Sequence, residues 1–144
     1  MKFSIIVVAL NPGEKLEKTL NSIFSQTCTD YEIILKDGGS RDGSMEAWRA
    51  SERVKFFCEP DKGIYDAMNQ AVSHASGEYL LFLNCGDLFA DNRVLERTAD
   101  FLKQQKTGIL YGDTIGEKNG VIIAAPPKMT GFTCYRNIPC HQAC

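Results

Sequence analysis

The chain has 144 residues, 44% of them apolar and 24% charged, with 16 basic and 18 acidic side chains and a formal net charge of −2. That is the length of one domain with a real core, and the charge lacks the basic excess that duplex nucleic acid demands. No apolar run nears the ~20 residues of a membrane span, and Asn11, Pro12 and Glu14 interrupt the N-terminal run too early for a signal peptide, so transmembrane, secreted, fibrous and disordered readings are set aside.

Phe3 to Val8 is a β-branched apolar run that predicts a first strand. Asn11-Pro12-Gly13-Glu14 reads as a helix N-cap, a proline at the first helical position and an acid at the third. The helix behind it places Leu16, Leu20, Ile23 and Phe24 on one face. Tyr31 to Leu35 predicts a second strand, closed by a polar, glycine-rich stretch from Lys36 to Gly43, after which Met45 and Trp48 suggest a brief helix. Val54 to Phe57 predicts a third strand. From Gly63, an apolar stripe of Ile64, Ala67, Met68, Ala71, Val72 and Ala75 predicts about three helical turns stopped by Gly77. Tyr79 to Leu83 is the fourth strand. Asp91 can cap a helix through Val94, Leu95, Thr98, Phe101 and Leu102, and Ile109–Tyr111 and Val121–Ala124 are strand candidates around a turn at Lys118-Asn119-Gly120.

This alternation predicts an α/β domain over residues 1–144: a mainly parallel, Rossmann-like sheet with helices on both faces. Beyond Ala124 the periodicity decays and no closing helix follows, which reads as a domain incomplete at its C-terminus. The six cysteines read as reduced thiols in a chain of this size. The cluster Cys134, Cys140, His141 and Cys144 lacks the paired spacing of common structural zinc sites.

In such a sheet ligands bind at the carboxyl ends of the strands. Three polar clusters fall there: Asn11 after strand one, Asp37-Gly38-Gly39-Ser40 after strand two, and Asn84-Cys85-Gly86-Asp87 after strand four. Asp37 can accept a hydrogen bond from a base or sugar, with glycines beside it that allow close backbone approach. Asp87 suits Mg²⁺ or Mn²⁺, which would neutralise a diphosphate. Lys62, at a helix start, can help hold phosphate. P-loop, dinucleotide-binding G-x-G-x-x-G and serine-hydrolase patterns are absent.

The ordered series Phe3–Asn11, Leu20-Asn21-Ser22-Ile23 with Gln26-Thr27, Asp30–Ile34 into Asp37–Ser44, Glu59–Asn69 and Gly77–Asp87 resembles glycosyltransferase family 2. That resemblance implies a GT-A fold and inverting transfer of a sugar from a nucleoside-diphosphate sugar, UDP-linked, to a hydroxyl on a saccharide or lipid-linked acceptor. It implies polysaccharide or glycoconjugate synthesis, in the cytoplasm and peripheral to a membrane, with neither nucleic acid nor a transmembrane segment involved. It assigns Ala9, Leu10, Asn11, Asp37 and Gly38 to the nucleotide. Lys62, Asp66, Asn69, Asn84 and Gly86 line the donor site, and Asp87 holds Mn²⁺ or Mg²⁺. The family's frequent Thr, second Asp and Arg are Ala9, Gly38 and Met68 here, and its Asp-x-Asp is thinned to one carboxylate. The general base is expected beyond residue 144, at the segment that Ile138–Ala143 begins. The alternative reading is a catalytically incomplete nucleotide-binding fragment.

Overall fold

The structure is a computed structural model that describes residues 2–105, 107–116 and 120–125. The Cys134–Cys144 cluster and most of the turn expected at Lys118-Asn119 lie outside them. Four parallel strands, β1 (Phe3–Ala9), β2 (Tyr31–Asp37), β3 (Lys55–Cys58) and β4 (Tyr79–Phe82), form one sheet in the order β3-β2-β1-β4. β1 is central and buried along its whole length. Its alternate residues serve different layers, as the pleat requires. Phe3, Ile5 and Val7 pack against Leu16, Leu20 and Ile23 of α1 (Lys15–Phe24), Met45 beside the short α2 (Glu46–Arg49), and Leu95 and Leu102 of α4 (Val94–Gln104). Ile6 and Val8, with Ile34 of β2, pack against Ala67, Met68 and Ala71 of α3 (Ile64–Val72). The parallel sheet with helices on both faces is thus as expected.

Several local expectations are corrected. Helix α1 starts at Lys15 with Glu14 as its N-cap, not at Asn11. Asn11 and Gly13 have φ of 48° and 55°, so the chain between them is a turn. Helix α3 ends at Val72 rather than Ala75, and Gly77 is not its stop. Gly77 instead lets two segments touch: a Cβ there would lie 2.6 Å from the Ser4 amide nitrogen. Asp91 stands ahead of α4, accepting the Arg93 amide at 2.8 Å, while Arg93 occupies the cap position. Ile109–Tyr111 is not a strand; the hairpin pairs β5 (Thr114–Ile115) with β6 (Ile122–Ile123). The described cysteines Cys28, Cys58 and Cys85 are free thiols.

The amino edge of the sheet is tied by one buried carboxylate. Glu32 accepts hydrogen bonds from the Ser4 hydroxyl and from the Ser76 amide and hydroxyl at 2.7 and 2.8 Å, and it pairs with Lys55. Burial alone would raise its pKa, but Lys55 and the serine donors outweigh that and hold it at about 2, against an ordinary 4.5. A lowered folded-state pKa contributes stability above the unfolded value that is lost as pH falls from about 4.5 towards 2. Glu32→Gln is therefore expected to lower stability at neutral pH, on the order of 3 kcal/mol, and to flatten the acid limb between those pH values. Urea denaturation across that range measures both.

Candidate functional site

The strand order sets the three clusters side by side, with the one after β1 between those after β2 and β4. The chain runs outward from β1 to β2 and β3, then crosses back to place β4 on the other side of β1. The reversal between β1 and β4 is the point where open α/β sheets leave a crevice beyond their carboxyl ends. A cleft of about 420 Å³ lies there, lined by Ala9 at the end of β1, by Leu10 and Asn11 after it and by Asn84 and Cys85 after β4, with Gly13, Lys15, Asp42 and Ile64 also in its wall.

The loops around this cleft are bound to each other before any ligand arrives. The Asn11 amide donates to Ser40 Oγ at 2.8 Å, and Asn11 Oδ1 accepts the Arg41 amide at 2.9 Å. These bonds explain why Asn11 holds a left-handed conformation, which asparagine tolerates better than most residues. Asp42 accepts the Gly13 amide at 2.8 Å, and Ser44 donates to its other oxygen at 2.6 Å. The Gly38 amide reaches the Ala9 carbonyl at 2.9 Å.

Asp37 is the last residue of β2 rather than a loop residue, and it is 0% exposed. Its Oδ1 accepts the Gly39 and Ser40 amides at 3.1 and 2.8 Å. Its Oδ2 is buried without a hydrogen bond, and the Arg49 guanidinium is the nearest cation at 3.8 Å. Burial would raise this carboxyl's pKa, but the Ser40 hydroxyl and amide, with the Cys58 thiol and the Gly39 amide, bring it below the ordinary carboxylate range.

On the opposite face of β2, Lys36 is also 0% exposed. Its ammonium donates to the Glu59 carbonyl at 2.7 Å and pairs with Asp61, which in turn accepts the Gly63 amide at 3.0 Å. A Cβ on Gly38 would sit 2.8 Å from Asp61 Oδ2, so the glycine makes room for this pair. The pair pins the loop that leads into α3. There Asp66 accepts the Lys62 amide at 2.8 Å, so its carboxylate caps its own helix start. Lys62 and Asn69 are exposed on that side, and with Asp66 they stand outside the cleft's lining.

The fourth-strand cluster is held from below. Gly86 donates its amide to the buried Thr19 at 2.8 Å, and the Asp87 amide reaches the Asn84 carbonyl at 2.9 Å. Cys85 is pushed up to about 11, chiefly by burial, so it stays a neutral thiol. The described residues contain no group of three His, Cys, Asp or Glu side chains placed for a metal. Asp87, expected to hold Mg²⁺ or Mn²⁺, thus offers such an ion one carboxylate, a number these ions accept when water and other oxygen ligands complete the shell.

Sequence reasoning named Ala9, Leu10, Asn11 and Asn84, which the cleft brings together. It put Ile64 in an apolar helix stripe and Cys85 in the strand-four cluster without a site role, and it assigned no site role to Lys15 or Asp42; all four share the wall. For Lys15 a signal was available: it starts a polar stripe with Thr19, Ser22 and Gln26 beside the apolar face of α1. Removing the buried cation on β2 is the direct test of this framework. Lys36→Met is expected to cost about 3 kcal/mol in urea denaturation by stranding Asp61, and adding Asp61→Leu is expected to recover most of it.

A family model described as Glycosyl transferase family 2 matches residues 4–139. A PGL/p-HBAD biosynthesis glycosyltransferase of Mycobacterium bovis (strain BCG / Pasteur 1173P2) is 37% identical over 98% of this chain, and the match takes in 57% of that relative's length. The chain thus spans little more than half of the curated relative. Among solved structures, S. aureus TarS 1-349 superposes with a TM-score of 0.74 at 26% identity, over 84% of this chain and 38% of that one. The structure of TarS 1-349 in complex with UDP-GlcNAc gives 0.71 at 25% identity, over 84% and 37%.

Proposed function

The chain belongs to glycosyl transferase family 2, and from that premise we propose that it is the donor-binding part of an inverting transferase. In this reading it takes a UDP-linked sugar whose sugar passes to a hydroxyl of a saccharide or lipid-linked acceptor, in polysaccharide or glycoconjugate synthesis at the cytoplasmic side of a membrane. The observation that carries the reading is the cleft at the strand-order reversal, where loops from β1 and β4 meet and the β2 loop is bonded to the β1 loop. UDP as the nucleotide is supported by the relative solved with UDP-GlcNAc. No described helix is long and apolar enough to cross a membrane.

Each residue's part follows from its chemistry. Asp37 is assigned to the nucleotide: its Oδ2 is short of a donor but buried and outside the cleft's lining, so it would accept a hydrogen bond only where binding uncovers it, and the space beside Gly38 is taken by Asp61 and Leu10. The main chain of Ala9, Leu10 and Asn11, fixed by the Ser40 and Arg41 bonds, supplies one wall. Asn84 and Gly86 shape the other side, and Asp87 holds Mn²⁺ or Mg²⁺. Bound there, the ion would neutralise the diphosphate as it leaves. Lys62, Asp66 and Asn69 serve the donor from the α3 side. The second reading is a nucleotide-binding piece without transferase activity.

Calorimetry with UDP and GDP, in Mn²⁺ and in EDTA, tests the site. Asp37→Asn keeps an acceptor for the Gly39 and Ser40 amides, and it is expected to weaken UDP binding roughly tenfold or more in both buffers. Asp87→Ala is expected to abolish only the Mn²⁺-dependent gain. If a nucleotide that the parent binds is held equally well by both variants, the assignment is wrong.

A further inference from the structure

One face of α1 carries polar residues at offsets of 0, 4, 7 and 11: Lys15, Thr19, Ser22 and, just past the helix, Gln26. Three of them fasten the segment that follows β4. Thr19 Oγ1 accepts the Gly86 amide at 2.8 Å, and Ser22 Oγ accepts the Phe89 amide at 3.4 Å. Gln26 donates to the Asp91 carbonyl at 2.7 Å and accepts the Leu95 amide at 3.1 Å. Each of these side chains is consumed by the fold.

Lys15 heads the same stripe and is not consumed. Its stem crosses Gly86, whose Cβ, if it had one, would lie 3.6 Å from Lys15 Cδ. The side chain lines the cleft together with Asn84 and Cys85. Among the described residues no hydrogen bond and no carboxylate within 4 Å holds its ammonium. Several cations elsewhere are neutralised in place, Lys2 by Glu78, Lys36 by Asp61, Lys55 by Glu32 and Arg97 by Asp91; Lys18, Arg41, Arg53 and Lys62 also lack a carboxylate partner among the described residues, but none of them lines the cleft. The nearby amides are also taken, since Gly13 donates to Asp42 and Lys15 to the Pro12 carbonyl. Asp42, the acid in the same wall, is occupied by Gly13 and Ser44.

The charge balance gives this lysine a task. A divalent ion held by Asp87 alone keeps one net positive charge, whereas the diphosphate of a nucleotide sugar carries one negative charge on each phosphate. One negative charge is left over in a partly desolvated cleft, where it is costly unless paired. We propose that Lys15 contacts the diphosphate of the donor and supplies that remaining positive charge, sharing with the metal the neutralisation of the two phosphates. The proposal rests on the donor-site reading above. A lysine suits it as a compact charge on a flexible stem, braced here along the Gly86 backbone.

The test is calorimetry on the 144-residue chain with UDP and with uridine, each in Mn²⁺ and in EDTA, for the parent, Lys15→Met and Lys15→Arg. Lys15 is exposed and methionine keeps most of its stem, so the fold is retained. The expected result is about a tenfold loss of UDP affinity in Lys15→Met, larger in EDTA than in Mn²⁺. Uridine affinity is expected to stay unchanged, and Lys15→Arg to keep most of the UDP affinity. Equal UDP binding by Lys15→Met and the parent, or equal losses for UDP and uridine, overturns the role of Lys15 and leaves the donor site standing. A parent chain that binds UDP and GDP in neither buffer overturns both.

Discussion

The carboxyl edge of this protein hangs from β1, a strand buried on both faces and hydrogen-bonded on both sides. Its register sets where the neighbouring loops emerge. Ala9 pairs with Asp37 and Asp37 with Cys58, so β1, β2 and β3 end level. β4 pairs with β1 only as far as Phe82 opposite Ile6, and the Leu83 amide makes one further bond to Ile6. From Asn84 the chain departs from the ladder while β1 runs on to Ala9, and the difference in length opens the cleft. A one-residue slip would exchange the two faces of β1 and lose both the core and the cleft.

Around that opening, side chains bond to the backbone of other loops more than to one another. Ser40, Asn11, Asp42 and Thr19 each take or give a bond across a sequence separation of about thirty to seventy residues. Such bonds satisfy amides that a short loop cannot satisfy itself, and they hold the wall in place before a ligand binds, which lowers the ordering cost of binding. Gly38 belongs to the same design: it leaves room for Asp61, which a Cβ there would crowd.

Two lysines illustrate how position divides structural from functional charge. Lys36 points to the α3 side of β2, is wholly buried and is neutralised by Asp61. Lys15 stands at the mouth of α1 with its stem on Gly86 and no partner in the described chain. A net charge of −2 says nothing of this difference. What matters is which cations the fold has already paired.

The amino-acid sequence by itself determined the layers. The continuous apolar runs of β1 and β2 demanded burial on both faces, and the apolar stripes of α1, α3 and α4 supplied the covers, so the parallel sheet and its polar carboxyl edge were legible in one dimension. It also placed Asn11, Asp37 and Asn84 at strand ends, because strand ends follow from where apolar runs stop. Turn chemistry was misread where a long-range bond overrode a local preference: Asn11 looks like a helix cap and serves Arg41 and Ser40, and Gly77 looks like a helix stop and serves contact with Ser4. Only the tertiary structure decided that β4 lies beside β1, that Asp37 keeps one oxygen unbonded, and that Lys15 borders Gly86. Strand order and cross-loop partners arise from packing between segments far apart in the chain, and no local pattern of residues encodes them.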